Sequence, residues 1–233
     1  MLEEKDLLTV PKHIAFIMDG NRRWAVKNGL ERKIGHKIGA ENWKKVIKCL
    51  LKFDEIKYAS FFAFSTENWN RKQEEIDYIF DVVGKMCEES EEEFVKNNIK
   101  LHCMGDLSRF PASMQEKLFR VMERTKDATG LVVNLALNYG GRDDIVHAVN
   151  KVIEKGGQVT VDSIKENLYS YPSPDVDLVV RTSGEKRISN FMLFQMAYSE
   201  LYFTDTYWPE FNQKELEKAL LAFSKRNRRF GGK

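Results

Sequence analysis

Six times along this chain a short apolar run empties into a polar loop, and a stretch of helical periodicity commonly follows. This alternation constrains the fold most, because parallel strands need a crossover of a dozen or more residues, usually a helix. The runs are Ile14 to Met18, Tyr58 to Phe64, Ile99 to Met104, Leu131 to Leu137, Asp177 to Val180 and Glu200 to Thr204. The 3.6-residue pattern predicts helices over Ala40 to Phe53, Gln73 to Asn97, about Pro111 to Lys126, Asp143 to Glu154 and Asn212 to Asn227. A further helix is expected to start near Arg22, and a short buried turn or helix over Met192 to Ala197. The expectation is an α/β fold, a single domain with a central six-stranded, mainly parallel sheet flanked by helices. No Pro-, Gly- or Ser-rich linker divides the 233 residues, so one domain over 1–233 is expected, and 42% hydrophobic content is ample for its core.

A net charge of +2 with scattered Lys and Arg argues against a nucleic-acid partner, so any anion site must be local. Cys49, Cys87 and Cys103 are odd in number and far apart, which fits neither a disulfide framework nor a zinc site and points to a reducing, cytoplasmic setting. No segment offers the 18 or so uncharged apolar residues of a membrane span. A peripheral visit to a membrane surface stays open.

The first run ends in Met18-Asp19-Gly20-Asn21-Arg22-Arg23-Trp24. In α/β proteins ligands bind at the carboxyl ends of strands. There Gly20 lets backbone N–H groups approach an anion, and Arg23 offers a planar donor fork to phosphate oxygens. Asp19 would repel a bare phosphate, so its place beside two arginines points to a bridging Mg²⁺. The same residues also fit an Asp N-cap with solvated arginines. Arg32 and His36 follow one loop later. The second run ends in Ser65-Thr66-Glu67-Asn68-Trp69-Asn70-Arg71, and the fifth in Arg181-Thr182-Ser183-Gly184-Glu185-Lys186-Arg187-Ile188-Ser189, whose arginines and serines could hold a second anion. Asn138-Tyr139-Gly140-Gly141-Arg142 lacks the spacing of a P-loop or dinucleotide fingerprint and reads as a tight strand-to-helix turn.

Taken in order, His13 to Trp24, Phe64 to Arg71, Asn138 to Arg142, Arg181 to Phe191, and Glu200 to Phe203 with Trp208-Pro209 resemble the cis-prenyltransferase family, on its bacterial side. The resemblance covers nearly the whole chain. It implies an Mg²⁺-dependent enzyme that adds isopentenyl diphosphate, with cis double bonds, to an allylic diphosphate primer such as farnesyl diphosphate, giving a long-chain product of undecaprenyl length for cell-wall synthesis. It implies that Asp19 positions the metal and diphosphates, with Glu200 a second metal ligand. Gly20, Asn21, Arg22, Arg23, Arg32 and His36 would cradle the primer diphosphate, with Trp24 beside them. Arg181, Arg187, Ile188 and Ser189 would hold isopentenyl diphosphate. Ser65, Thr66, Glu67, Asn68, Trp69 and Arg71 would surround the reacting ends, Asn68 taking part in proton removal.

A homodimer is also implied, with the tail Arg229-Phe230-Gly231 reaching the partner's site, as is peripheral membrane contact for product release. Ile76, Ile79, Phe80 and Val83 are expected to wall a tunnel for the growing chain, and Leu135 and Leu137 to line its far end. Two positions depart from the common bacterial pattern: Arg22 stands where many members carry Gly, and Lys186 where some carry His. An ammonium cannot ligate a metal as an imidazole can.

Two other readings compete. A phosphohydrolase using a strand-end Asp as nucleophile usually has a second Asp two residues on, where this chain has Asn21. A catalytically silent partner subunit should have lost its primer site, yet Asp19, Asn68, Arg181 and Arg187 are all present.

Overall fold

In the computed structural model, which describes residues 2–226, the six apolar runs form one sheet in the order β3-β4-β2-β1-β5-β6, every neighbouring pair parallel. The strands are β1 (His13–Ile17), β2 (Tyr58–Ser65), β3 (Lys100–Met104), β4 (Val132–Tyr139), β5 (Leu178–Arg181) and β6 (Glu200–Phe203). The expectation of a mainly parallel sheet is met with every pair parallel. The helices are α1 (Asn21–Lys27), α2 (Arg32–Leu50), α3 (Gln73–Lys96), α4 (Ala112–Thr125), α5 (Gly141–Glu154), α6 (Val161–Lys165) and α7 (Gln213–Ser224).

β1 is buried on both faces, as a central parallel strand must be. Its period of two sorts the core. Ile14 and Phe16 join the larger cluster with α2, α3, α4 and α7, whereas Ala15 and Ile17 join a smaller one with Met104, Tyr139, Val179 and Phe191. Phe16 stacks on Phe61 with ring centroids 5.0 Å apart, and Trp208 and Phe211 close over them. No helix among the described residues is long and apolar enough to cross a membrane.

The largest departure from the sequence reading concerns α2, which starts at Arg32, eight residues before Ala40. Gly35 and Gly39 are packing positions inside the helix rather than loop signals. A Cβ on Gly35 would lie 2.7 Å from the Asn21 carbonyl carbon, and one on Gly39 2.9 Å from Asn21 Cγ. Glycine lets α2 lie against the start of α1, and so carries Arg32 and His36 to the carboxyl edge of β1. Smaller differences follow cap chemistry. The start of α5 at Gly141 precedes the predicted one by two residues, and α6 lies in a stretch without apolar periodicity, held by a capping box between Thr160 and Ser163.

β2 is irregular near its end, where the register to β4 shifts on either side of Phe64. Such irregularities re-aim side chains beside functional sites. β1 sits between β2 and β5, and the chain leaves β1 toward β2 but leaves β5 toward β6. The resulting crevice at the carboxyl ends of β1 and β5 is where open α/β sheets bind ligands.

Candidate active site

Met18-Asp19-Gly20 leaves β1 into that crevice. Gly20 has φ +102°, and a Cβ there would lie 2.6 Å from Tyr207 Cδ1 and 2.9 Å from Ser183 Cβ, so only glycine fits. The Asp19 carbonyl accepts from Thr182 Oγ1 at 2.6 Å and from the Trp208 N–H at 3.0 Å, which fixes the turn.

Both Asp19 carboxylate oxygens are engaged. Oδ2 accepts from Arg181 at 2.9 Å, while Oδ1 accepts from the Gly20 N–H at 2.6 Å and lies 3.3 Å from Arg23. Partial burial pushes the Asp19 pKa up, but the Arg181 hydrogen bond and charge, the Arg23 charge and the Gly20 N–H more than offset it, holding the group below the usual carboxylate range. It is a carboxylate at neutral pH.

Arg181 is the last residue of β5, in register with Ile17, and only 3% exposed. That position delivers its guanidinium beside Asp19. Its Nη1 donates to the Arg187 carbonyl and, at 2.7 Å, to Ser189 Oγ, while its buried Nε has no protein partner. Arg23 donates to Ser183 and to Glu185, and Glu185 also pairs with Arg187.

Two cavities meet here. One, about 690 Å³, is lined by Gly20, Arg22, Arg23, Lys27, Arg32 and Tyr207; the other, about 950 Å³, by Ser65, Glu67, Asn68, Arg142, Arg181, Ile188 and Ser189. Met18, Asp19, Asn21, His36 and Arg71 line both. A small apolar cavity of about 60 Å³ lies between α2 and α3, walled by Ala63, Ile79, Val83 and Met86, and shares Met18, His36 and Ala63 with the larger one.

Cations predominate on the smaller cavity's wall, and one acid tethers several. Glu75 Oε1 lies 2.9 Å from Arg71, 3.4 Å from Arg22 and 3.7 Å from His36. Burial, then the Arg71 charge, lowers the His36 pKa to about 4 despite the opposing charge of Glu75. Nε2 of the neutral ring is buried without a hydrogen-bond partner.

The structure also separates residues that the sequence reading had grouped. Trp69 lines neither large cavity: its Nε1 donates to Asn138 Oδ1 at 2.7 Å, its ring packs on Phe64 and Phe80, and the Arg109 guanidinium covers it at 4.1 Å. Trp24 is likewise held outside, its Nε1 on Glu210 Oε1 at 3.0 Å. The Thr66 hydroxyl lies within 3.3 Å of Asp143. Arg187 is 60% exposed and contributes its carbonyl to Arg181 while its side chain pairs with Glu185.

The expected second metal ligand, Glu200, stands apart from Asp19 within one chain. It is paired with Leu178 at the amino end of β6, whereas Phe203 pairs with Arg181, so within one chain it stands roughly 10 Å back along the sheet from the edge bearing Asp19. Its carboxylate holds Arg226 at 2.6 Å. No group of three His, Cys, Asp or Glu side chains suited to a metal occurs among the described residues, and Lys186 is exposed. The tail Arg229-Phe230-Gly231 lies outside the described residues.

Glu75, Asn190 and Tyr207 were absent from the sequence-derived set. Glu75 had a signal, since Arg71 and Glu75 stand four residues apart at a helix start. Asn190 lies within the Arg181 to Phe191 stretch, next to Ser189.

Comparison with known proteins adds an independent line. Residues 17–231 match a family model described as "Putative undecaprenyl diphosphate synthase". An isoprenyl transferase of Clostridium perfringens is 44% identical over 100% of this chain and 92% of its own length. A ditrans,polycis-undecaprenyl-diphosphate synthase ((2E,6E)-farnesyl-diphosphate specific) of Pasteurella multocida is 42% identical over 98% of each. Among solved structures, lavandulyl diphosphate synthase from Lavandula x intermedia, in complex with dimethylallyl diphosphate, superposes with TM-score 0.91 at 32% identity, covering 95% of this chain and 98% of that one. A probable undecaprenyl diphosphate synthase from Campylobacter jejuni gives 0.83 at 38% identity, covering 96% and 99%.

Proposed function

This chain belongs to the undecaprenyl diphosphate synthase family of prenyltransferases, and from that premise we propose that it adds isopentenyl diphosphate units to farnesyl diphosphate. Each addition forms a cis double bond, and the product is a polyprenyl diphosphate of undecaprenyl length, a lipid-carrier precursor for cell-wall synthesis. One observation supports the reading above others: Asp19 stands in the shared wall of two arginine-lined cavities, with an apolar cavity beside them.

In this reading the smaller cavity takes the primer diphosphate, held by Gly20, Asn21, Arg22, Arg23, Arg32, His36 and Arg71 with Lys27 beside them. The larger takes isopentenyl diphosphate on Arg181, Ser189 and the 187–189 backbone. Held side by side, the isopentenyl double bond meets the primer's C1 as an intramolecular partner would, which is a proximity contribution. The C1–oxygen bond of the primer breaks, the isopentenyl C4 forms the new carbon–carbon bond, and the diphosphate departs. The guanidiniums of the smaller cavity stabilise the charge growing on that leaving group.

A proton must then leave C2 of the isopentenyl unit. Asn68 lines the larger cavity, but its Oδ1 already accepts from the Ser65 N–H at 3.1 Å, and an amide is a poor base. Asn68 therefore orients the reacting end, and a diphosphate oxygen takes the proton.

Mg²⁺ fits the donor set. One ionised carboxylate beside two diphosphate cradles suits an ion that keeps few protein ligands and completes its shell with phosphate oxygens and water; Asp19 would hold it. When bound, it would supply further neutralisation of the leaving diphosphate. The whole chain works as one catalytic domain, in a cytoplasmic homodimer that touches the membrane peripherally to release its product.

The test is direct. Purified protein with Mg²⁺, farnesyl diphosphate and labelled isopentenyl diphosphate is expected to give polyprenyl diphosphates, resolved by chain length. Release of inorganic phosphate without primer extension would overturn the reading in favour of a phosphohydrolase.

A further inference from the structure

The loop after β5 departs from ordinary backbone geometry: Ser189 has φ +49° and Asn190 φ +61°, two adjacent non-glycine residues in the left-handed region. Such conformations are costly and persist only where surrounding contacts over-determine them, although Asn tolerates them better than most residues. The contacts converge on Asn190. Its Nδ2 donates to Glu67 Oε1 at 3.0 Å, its Oδ1 accepts from the Arg142 N–H at 3.0 Å, and its carbonyl accepts from the Gly141 N–H at 2.6 Å.

Three loops from three strands are thereby joined at one side chain. They are the turn after β2 that carries Glu67 and Asn68, the Gly-Gly turn opening α5, and the loop after β5 that presents Ser189 to Arg181. The two glycines are what allow the approach. A Cβ on Gly140 would lie 2.8 Å from Asn190 Nδ2 and 2.7 Å from Thr66 Oγ1, and one on Gly141 would lie 2.7 Å from Leu193 Cγ. The Asn138–Arg142 stretch is therefore more than a strand-to-helix turn; its glycines make room for Asn190.

We propose that Asn190 is a positioning residue for the second substrate. By tying the Ser189 loop to Glu67, it fixes where the isopentenyl diphosphate cradle stands relative to the reacting ends over Asn68. Asn190 acts through Ser189, Arg181 and Glu67, and the inference rests on the assignment of the larger cavity to isopentenyl diphosphate. The primer cradle, built on α1, α2 and Arg71, receives no hydrogen bond from Asn190, so the effect should be confined to one substrate.

The experiment reverses the polarity of the tie. In Asn190→Asp the backbone remains tolerated and the acceptor for the Arg142 N–H remains, but a carboxylate now faces the Glu67 carboxylate. The KM for isopentenyl diphosphate is expected to rise at least about tenfold, with the farnesyl diphosphate KM within about twofold. In a Glu67→Gln background the amide can donate to the new carboxylate, and the same substitution is expected to change KM by no more than about twofold. The loss in the Glu67 background should also shrink as pH falls, because two facing carboxylates share a proton. Asn190→Gly, which keeps the left-handed backbone and removes the side chain, serves as the folded control and is expected to raise the isopentenyl diphosphate KM without lowering primer affinity.

An equal loss in both Glu67 and Gln backgrounds, an equal loss for both substrates, or an unchanged KM in Asn190→Gly would overturn the inference. Unaltered protein is assayed first. If it consumes no isopentenyl diphosphate, the functional reading fails and this inference with it; if it turns over normally, the outcomes above bear on Asn190 alone.

Discussion

At Asp19 two demands meet, since the carboxylate must stay ionised and yet stand where two diphosphates would bring several negative charges. Arg181, Arg23 and the Gly20 N–H meet the first by engaging both oxygens. Asp19→Asn should retain the fold and lower turnover by about 10²–10³, the scale of losing one preorganised electrostatic group. No aspartyl-phosphate should form in the unaltered enzyme, which intact-mass spectrometry during turnover checks. Two histidines set a different dependence. His13 is fully buried, with Nδ1 on the Pro174 carbonyl and Nε2 on Ser60, and burial lowers its pKa to about 4, the same value as His36. In the unfolded chain each takes a proton near its ordinary value of about 6.5, so between there and about 4 the unfolded state binds more protons. Stability should therefore fall as pH drops through that window, on the order of 3 kcal/mol per histidine once complete. Urea melts at pH 7 and 4.5 should show it, and His13→Asn should remove about half of the slope. Position at this scale was legible where a residue closes an apolar run, as with Asp19, Gly20 and Arg181. The positions of Trp69 and Trp24 were not legible, because indole N–H groups need acceptors, and those acceptors, Asn138 and Glu210, come from distant parts of the chain. The place of Glu200 was not legible, because a motif does not say at which end of a strand a side chain stands.

Elements were legible through periodicity and obscure where glycine had a packing use. The six strands and the long α3 follow from apolar runs and a 3.6-residue face, and their observed ends differ from the expected ones by only one or two residues. The Gly-, Lys- and Arg-rich stretch before Ala40 hides the first turns of α2, in which Gly35 and Gly39 each pack against Asn21. This yields a test: Gly39→Ala, whose Cβ would meet the Asn21 side chain, should weaken the primer analogue in calorimetry and cost about 1–3 kcal/mol of stability, the range for overpacking. Gly35→Ala meets backbone and should cost more. The same element scale decides where an oily product can go. Of the expected tunnel residues, Ile79 and Val83 line the apolar cavity between α2 and α3, and Ala63 beside the β2 irregularity joins them. Ile76, Phe80, Leu135 and Leu137 are buried in the main core and line neither this cavity nor the larger one. Ala63→Leu and Val83→Trp should accordingly shift products to shorter chains while sparing the first addition, as read by chromatography of labelled products.

Across the whole molecule, the shared wall makes the two cavities one thermodynamic unit. Asp19, Asn21, His36 and Arg71 face both, so whatever occupies one cavity changes the charge felt in the other. Two diphosphates this close repel unless something between them is positive. Arg71 and Arg181 supply part of that charge, but Arg71 is paired with Glu75 and Arg181 with Asp19, so protein alone leaves the pair of ligands under-neutralised. The sign of the coupling should therefore depend on Mg²⁺. Without it, an unreactive thiol analogue of farnesyl diphosphate should weaken isopentenyl diphosphate binding; with it, the analogue should strengthen binding, each by the 5- to 150-fold typical of linked sites, about 1–3 kcal/mol. Reciprocity is required of any true equilibrium linkage, so isopentenyl diphosphate must alter the analogue's affinity by the same factor under each condition. Calorimetric titrations in both orders, with Mg²⁺ and with a chelator, measure all four factors. The expected stoichiometry is one of each ligand per chain. Equal couplings with and without the metal would mean that the cations already present suffice and that Asp19 serves Arg181 rather than an ion.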